Sequence, residues 1–396
     1  MGTTFNLPNY VGELFSITPQ DTPFLSAIGG LTGGESADAV AFNWSYYDLR
    51  DADEARQRVE GADAQTAENR VRATAHNVLE IHQETVDVSY TKQAATGQFT
   101  TTGSTHTGAV GLNGSNAVLD ELDWQTRQAL VQIARDVEVS FIKGAYSNPA
   151  TNATARKTRG ILAATSTNSI NAVGAAVGSG TVATATTIVT EAAHGLSAGD
   201  AVVADTITGA ALKENTLYYV LAIDSGTFSL ALRPGGAAIT LGTGTANLKR
   251  ATALTGAAVL DLLQLVWDNG GIREEESATI MVNSTLKRAL TKEFVTDAGY
   301  AESTRNVGGV SVQTIETDFG QLNIMLNRHM PSAVLQVVSL EQCKPRLLNV
   351  PGKGFLFAEP LAKVGAADRV QIYGEIGLEY GNELAHGKLL GVGPAA

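Results

Sequence analysis

The stretch Gly381-Asn382-Glu383-Leu384-Ala385-His386-Gly387-Lys388 comes nearest to a nucleotide-binding loop in this 396-residue chain. A phosphate cradle needs two glycines at a fixed spacing, then Lys, then a hydroxyl residue that reaches the metal. Here one residue too many separates the glycines, and Leu389 stands where Ser or Thr is required. No dinucleotide-binding glycine fingerprint follows a strand and opens a helix, and no Ser sits in a nucleophile elbow. The histidines are His76, His82, His106, His194, His329 and His386. His76 and His82 would share a strand face, but six residues of strand separate them by about 20 Å, too far for one metal ion. Glu274-Glu275-Glu276 reads as a solvated turn. The single Cys343 cannot form an internal disulfide and reads as a buried structural thiol. The expectation is a protein without catalytic residues, cofactor or metal.

The charged stretch from Asp48 to Arg72 carries a different chemistry. Its acids are Asp48, Asp51, Asp53, Glu54, Glu60, Asp63 and Glu68. Every cation in it, Arg50, Arg56, Arg58, Arg70 and Arg72, is arginine, and the first lysine of the chain is Lys92. Arginine pairs carboxylates through two parallel hydrogen bonds and suits interfaces better than lysine. Two readings stand: a solvated loop, or a tip that reaches a neighbouring subunit and forms ion pairs there.

The elements around this stretch define what positions it. Val40, Phe42, Trp44 and Tyr46 alternate with polar or small residues, as a strand with one buried face does. Alternation resumes with Val71, Ala73 and Ala75 through Leu79 and Ile81, then shifts phase to Val86, Val88 and Tyr90, which predicts a bend or bulge. Together these form a long hairpin with a charged tip and little core of its own. Before it, residues 1–38 read as an irregular arm broken by Pro8, Pro19, Pro23 and paired glycines. The arm is nonetheless rich in apolar groups (Phe5, Tyr10, Phe15, Phe24) that need a surface to lie on. Residues 117–143 form the best helix, with Leu122, Leu130, Ile133, Val137 and Phe141 on one face and Asp123, Gln125, Arg127, Gln132, Arg135 and Glu138 on the others. Residues 173–250 are rich in Gly, Ala, Thr and Ser. Short alternating runs at 187–190, 201–204, 217–223, 227–232 and 238–241 predict an inserted all-β module there. A helix over 255–269 should bury Leu260, Leu263, Val266 and Trp267. Strands are expected near 279–282, 309–316, 321–327, 333–340 and 369–380.

Composition narrows the function. Charged residues are 17% of the chain and net charge is −12, with no Lys/Arg-rich block, so a sequence-reading nucleic-acid domain is not expected. Few surface charges suit a protein that covers much of itself with neighbours. No signal peptide or membrane-spanning run is visible, which places synthesis in the cytoplasm.

The order of parts resembles the Hong Kong 97-like fold of tailed-bacteriophage major capsid proteins. Local stretches add to this: Asp21-Thr22-Pro23-Phe24-Leu25-Ser26-Ala27-Ile28-Gly29, Thr158-Arg159-Gly160-Ile161-Leu162, Thr279-Ile280-Met281-Val282-Asn283, Thr317-Asp318-Phe319-Gly320 and Asn327-Arg328-His329-Met330-Pro331. The resemblance covers about 1–172 and 251–396. It implies an α+β chain with an N-terminal arm (1–38), an extended hairpin loop (39–90), a peripheral domain with a long spine helix (91–172), an inserted β domain (173–250), and an axial domain with a C-terminal strand returning to the peripheral domain (251–396). It further implies self-assembly into hexamers and pentamers of an icosahedral shell around double-stranded DNA, bound without sequence preference. The expected setting is the virion, assembled in the host cytoplasm with a separate scaffolding protein, a portal and decoration proteins. Subunit contacts are expected at Phe5, Tyr10, Phe15, Phe24, Arg50, Asp51, Asp53, Glu54, Arg56, Arg58, Glu60 and Arg70. Rival readings are an encapsulin-like nanocompartment shell and a β-rich tail or adhesion protein. The fold's type member crosslinks its shell through a lysine of the extended loop. Residues 39–90 contain no lysine, so shells of this chain should dissolve in hot SDS to a single 41.3 kDa band. A covalent ladder on such a gel would refute that expectation.

Overall fold

The computed structural model describes residues 18–47, 49, 52–94, 121–185, 187–192, 194–224, 226–272, 278–293, 302–307, 310–362 and 364–394. Pro23, with φ already set for a helix and no N–H to satisfy, opens the short helix α1 (Pro23–Ala27). Gly29 and Gly30, both at positive φ, turn the chain out of it toward β1 (Glu35–Ala37). The hairpin follows as β2 (Ala41–Tyr47) and β3 (Arg72–Val78), in register from Ala41 opposite Val78 to Tyr47 opposite Arg72. The phase shift, expected after Ile81, falls earlier, at Leu79, and leaves Ile81 exposed. There the chain leaves the hairpin and β4 (Glu80–Ser89) joins a different sheet. The short helix α2 (Tyr90–Ala94) precedes the spine helix α3 (Glu121–Lys143), and α4 (Ile161–Ala164) and β5 (Ser169–Asn171) follow.

A closed barrel comes next, built from β6 (Ala176–Ala185), β7 (Ile188–Thr190), β8 (Ala201–Thr208), β9 (Leu217–Ile223), β10 (Thr227–Ala231) and β11 (Gly244–Arg250) in the order β10-β7-β6-β11-β8-β9. It has its own core around Phe228, Leu230, Val220 and Leu248. The run at 238–241 predicted as a strand is not one. The ring closes instead through β6 and β11, whose glycines, alanines and threonines give almost no apolar alternation. The chain then forms β12 (Thr252–Ala253), α5 (Gly256–Asp268), β13 (Ala278–Val282) and α6 (Ser284–Leu290). Thr255 and Asn283 cap the two helices, accepting from Ala258 N and Thr285 N. The remaining elements are β14 (Glu302–Val307), β15 (Val310–Thr317), β16 (Gly320–Leu326), β17 (Val334–Ser339), β18 (Lys344–Leu348), β19 (Leu356–Pro360), β20 (Ala367–Glu379), β21 (Gly387–Leu390) and β22 (Val392–Gly393).

Two large sheets organise the body. The first runs β1-β18-β20-β19, with β4 also paired to β20; the second runs β14-β15-β16-β13-β17-β21-β5. Helices α1 and α3 pack into a core with Met281, Met325 and Val338 of the second sheet and Ile372, Ile376 and Leu378 of the first. Helices α5 and α6 cover the other face of the second sheet, through Leu262, Val266, Leu286 and Leu290.

Val71, Ile81 and Leu130, expected on buried faces, are exposed, and three further residues sit opposite to their sequence-based assignment. Phe24, expected to lie on a neighbouring subunit, is fully buried in the chain's own core, because α1 folds back onto α3. Trp267, expected on the buried face of α5, is 55% exposed. Glu138, expected on a polar face of α3, is 0% exposed. The Glu138 carboxylate meets three donors: Phe24 N at 3.0 Å, Leu25 N at 2.6 Å and Asn327 Nδ2 at 2.6 Å. Two of these are amides of the first turn of α1, which have no partner inside their own helix.

Each buried donor left without an acceptor costs about 1–3 kcal/mol. Glu138→Ala strands three of them, so it should lower unfolding stability by about 3 kcal/mol or more, measurable in a denaturant titration. Burial pushes the Glu138 carboxyl above the usual carboxylate range, and its hydrogen bonds pull it back only in part. The folded chain then holds this proton to higher pH than the unfolded chain does. The resulting stabilisation is full below about pH 4.3 and is lost as pH rises toward the raised folded value. The stability difference between wild type and Glu138→Gln should shrink across that window; a flat difference would count against it.

Candidate subunit-contact surfaces

The outer part of the hairpin is exposed, so its anchorage decides what it can present. Its base is held by a buried amide. Asn77, 0% exposed, donates to Leu378 O (2.7 Å) and Arg159 O (3.1 Å) and accepts from Arg159 N (2.8 Å) and Val78 N (2.9 Å). Trp44 adds a second anchor. Its indole N–H donates to Gly381 O at 2.7 Å, and its ring meets Tyr380 edge-on at 4.8 Å. The hairpin lies so close on β20 that a Cβ on Gly377 would stand 2.7 Å from Phe42 Cε1 and 2.9 Å from Val78 O. Beyond Trp44 the strands leave the body, with Tyr47 69% exposed.

At the tip, Asp53, Glu54, Arg58, Glu60 and Arg70 are exposed and Arg56 is half-buried. Arg56 bonds Gln65 Oε1 at 3.0 Å and pairs with Glu68 at 3.5 Å; Arg70 pairs with Glu68 at 3.2 Å. Asp53 accepts from Ala55 N at 2.9 Å. Two of the arginines expected to reach a neighbour therefore also brace the tip internally. Phe5, Tyr10, Phe15, Arg50 and Asp51 lie outside the described residues.

Surfaces missed by sequence reasoning lie beside the hairpin and on the helical face of the second sheet. A groove of about 840 Å³ separates the outer hairpin from the body, lined by Tyr46, Tyr47, Leu49, Gln342, Lys344 and Glu379 among others. A second, of about 920 Å³, lies between the barrel and α6. Neither is visible as a motif, because each is assembled from segments far apart in sequence.

The residues with possible chemistry are used structurally. In the glycine-flanked stretch, Lys388 Nζ donates to Leu162 O at 2.9 Å, and buried His386 Nε2 meets Tyr380 O at 2.7 Å. Asn168 ties the same stretch down through Leu384 O and His386 O. His76 packs edge-on against Tyr146, whereas His82 is buried, and that burial pushes its pKa down. Cys343 is buried, which pushes its thiol pKa up. Among the described residues no three His, Cys, Asp or Glu side chains are placed to hold a metal, and no helix is long and apolar enough to cross a membrane.

The body thus combines an anchored hairpin, a long helix α3 packed against β4 and β20, and an inserted β barrel. The model of the SU10 major capsid protein family matches residues 1–393, and the chain belongs to that family. It is a shell-forming capsid protein, not an enzyme. No curated protein matches the chain. Among solved structures, it is similar to the capsid of cyanophage A-1(L) at 12% identity and TM-score 0.49, covering 98% of this chain and 97% of that one. It is also similar to the capsid of a native GTA particle, at 12% identity and TM-score 0.48 over 98% and 96%. A third is the holo-SrpI encapsulin complex of Synechococcus elongatus PCC 7942, at 12% identity and TM-score 0.48 over 98% and 92%.

Two substitutions separate anchorage from decoration. Trp44→Ala removes a ring contact and a hydrogen bond at the hairpin base and should cost about 2 kcal/mol or more of unfolding stability. Glu68→Gln weakens the exposed pairs with Arg56 and Arg70 and should change stability by less than about 1 kcal/mol. Thermal melts of the two variants side by side check the contrast.

Proposed function

We propose that this capsid protein forms the hexamers and pentamers of an icosahedral phage head that encloses packaged double-stranded DNA. The observation that carries this is the full-length family match, joined to a fold that leaves a long hairpin without a core of its own. The net charge of −12 supports a container. An inner wall dense in cations would grip DNA phosphates and resist orderly packing. In this reading residues 1–38 act as the arm, 39–90 as the extended loop, 91–172 as the peripheral domain, 173–250 as the inserted domain and 251–396 as the axial domain. The pairing of β4 with β20 across Ser89–Ala367 to Glu80–Ile376 supports the return of the C-terminal strand to the peripheral region. The hairpin tip, where Glu54, Arg58 and Glu60 are exposed and form no ion pair among the described residues, meets a neighbour. A separate scaffolding protein, a portal and decoration proteins complete the particle, which assembles in the host cytoplasm.

The test is co-expression of the chain with its neighbouring phage genes, followed by negative-stain microscopy and nuclease digestion. Closed shells holding nuclease-protected DNA are expected. A compact monomer at high concentration, or shells filled with protein cargo, would overturn the proposal.

A further inference from the structure

The groove between the barrel and α6 combines an apolar floor with a cationic rim. Tyr219, Leu232 and Pro234 of the barrel supply the floor, and Arg233, Arg288 and Lys292 supply the rim. The three cations are exposed and form no ion pair among the described residues. Leu232 is 58% exposed. On a chain of net charge −12, three cations in one groove with no ion pair among the described residues, beside a Glu293 already bonded to Gly256 N, are a departure from the average surface.

The complementary surface lies on the same layer of the same chain. Helix α5 has two acids, Asp261 and Asp268, and no cation. Asp261, Gln264 and Asp268 fall at i, i+3 and i+7, so they share the solvent face, with the half-exposed ring of Trp267 beside them. Asp268 lies in the last helical turn, where the helix dipole disfavours an anion and no basic residue offsets it. A large exposed aromatic ring and an anion at the wrong end of a helix both lower the stability of an isolated subunit. Both are resolved if another surface covers them.

The two patches stand apart along one helix. Glu293, at the groove, accepts from Gly256 N at the start of α5 at 2.8 Å. Trp267 and Asp268 end the same 13-residue helix, about 20 Å away, and Asp261 lies partway, about 10 Å short of that end. A subunit with one patch at each end of a helix joins its copies head to tail, and such a contact closes into rings when the rotation permits.

We infer that the α5 end of one copy, with Trp267 as anchor and Asp261 and Asp268 as carboxylates, docks into the barrel–α6 groove of the next copy around a capsomer. The indole covers the apolar floor and stacks against arginine, and the aspartates pair with Arg233, Arg288 and Lys292. Trp and Arg are the residue types that dominate interface energetics. The occupant is a second copy because the chain itself carries the matching charge and aromatic anchor. The inference rests on the shell reading and adds the residues that set the order of copies.

The experiment reverses the charges on each side in the full chain. Arg288→Glu with Lys292→Glu, and separately Asp261→Lys with Asp268→Lys, should each cut the yield of sedimenting shells by about tenfold or more, with circular dichroism unchanged. All four changes in one chain should restore shells. If both half-reversed proteins assemble as wild type does, the contact is refuted. A second measurement does not depend on rescue. Asp268→Cys combined with Arg288→Cys in otherwise wild-type shells should give an oxidised ladder of dimers and higher species, absent from either single variant. Cys343 is buried and leaves the background clean. Intact shells without a ladder would also refute the contact, whereas failure of the wild-type chain to form shells would strike the shell reading instead.

Discussion

A buried carboxylate holds the arm to the body. Glu138 is enclosed by α1, α3 and the turn after β16, and it answers three donors that burial would otherwise leave unpaired. The arrangement is costly to ionise and more costly to break, since removing the acceptor orphans two helix-opening amides and an Asn side chain. Its effect is directional. It fixes where the chain emerges from α1, and with it the path of residues 28–37 into the edge pairing of β1 with β18. Outside it, Asp21 and Arg328 meet at 2.9 Å, an exposed pair that adds little energy by itself.

Four of the five stretches that suggested the capsid family, all but Thr317–Gly320, meet in one core. Residues 21–28 and 327–331 share Glu138 and the Asp21–Arg328 pair. Asn283, at the end of the β13 stretch, donates to Met330 O at 3.1 Å. Arg159 N, in the stretch after α3, donates to the Asn77 side chain that anchors the hairpin. These segments are therefore parts of one structural junction, and the two extensions of the subunit, arm and hairpin, are both tied into it. A shell subunit needs such a junction, because anything that pulls on the extensions is transmitted to the body there.

The surface follows a different logic from the core. Charge is sparse, and several pairs stay within one subunit: Arg56 and Arg70 with Glu68 at the tip, Arg346 with Glu35 and Glu379 across β1, β18 and β20. Lys344 and Arg346 hold the Glu35 carboxyl below its usual range. Groups already satisfied in this way brace the subunit. The exposed cations at the barrel–α6 groove form no ion pair among the described residues, and these, with the exposed ring of Trp267, are the groups the proposed contact uses.

The sequence by itself determined the elements whose side chains alternate or repeat strongly. These include β2 and β3, the spine helix, α5, and the long strand β20 with Ile372, Ile376 and Leu378 inward. It also determined that no assembled catalytic motif was to be expected, since the required spacings were missing. Only the tertiary structure decided the rest. Strands β6 and β11 carry too little apolar pattern to announce themselves, and barrel closure supplies their partners. Glu138 and Trp267 obey helical periodicity but break its usual polarity, because burial depends on what packs against a face and not on the face alone. Phe24 looked like an outward anchor until α1 folded onto α3. The grooves were invisible for the same reason: their walls come from residues such as Tyr219, Arg288 and Pro394, which share no local pattern and meet only when the chain is folded.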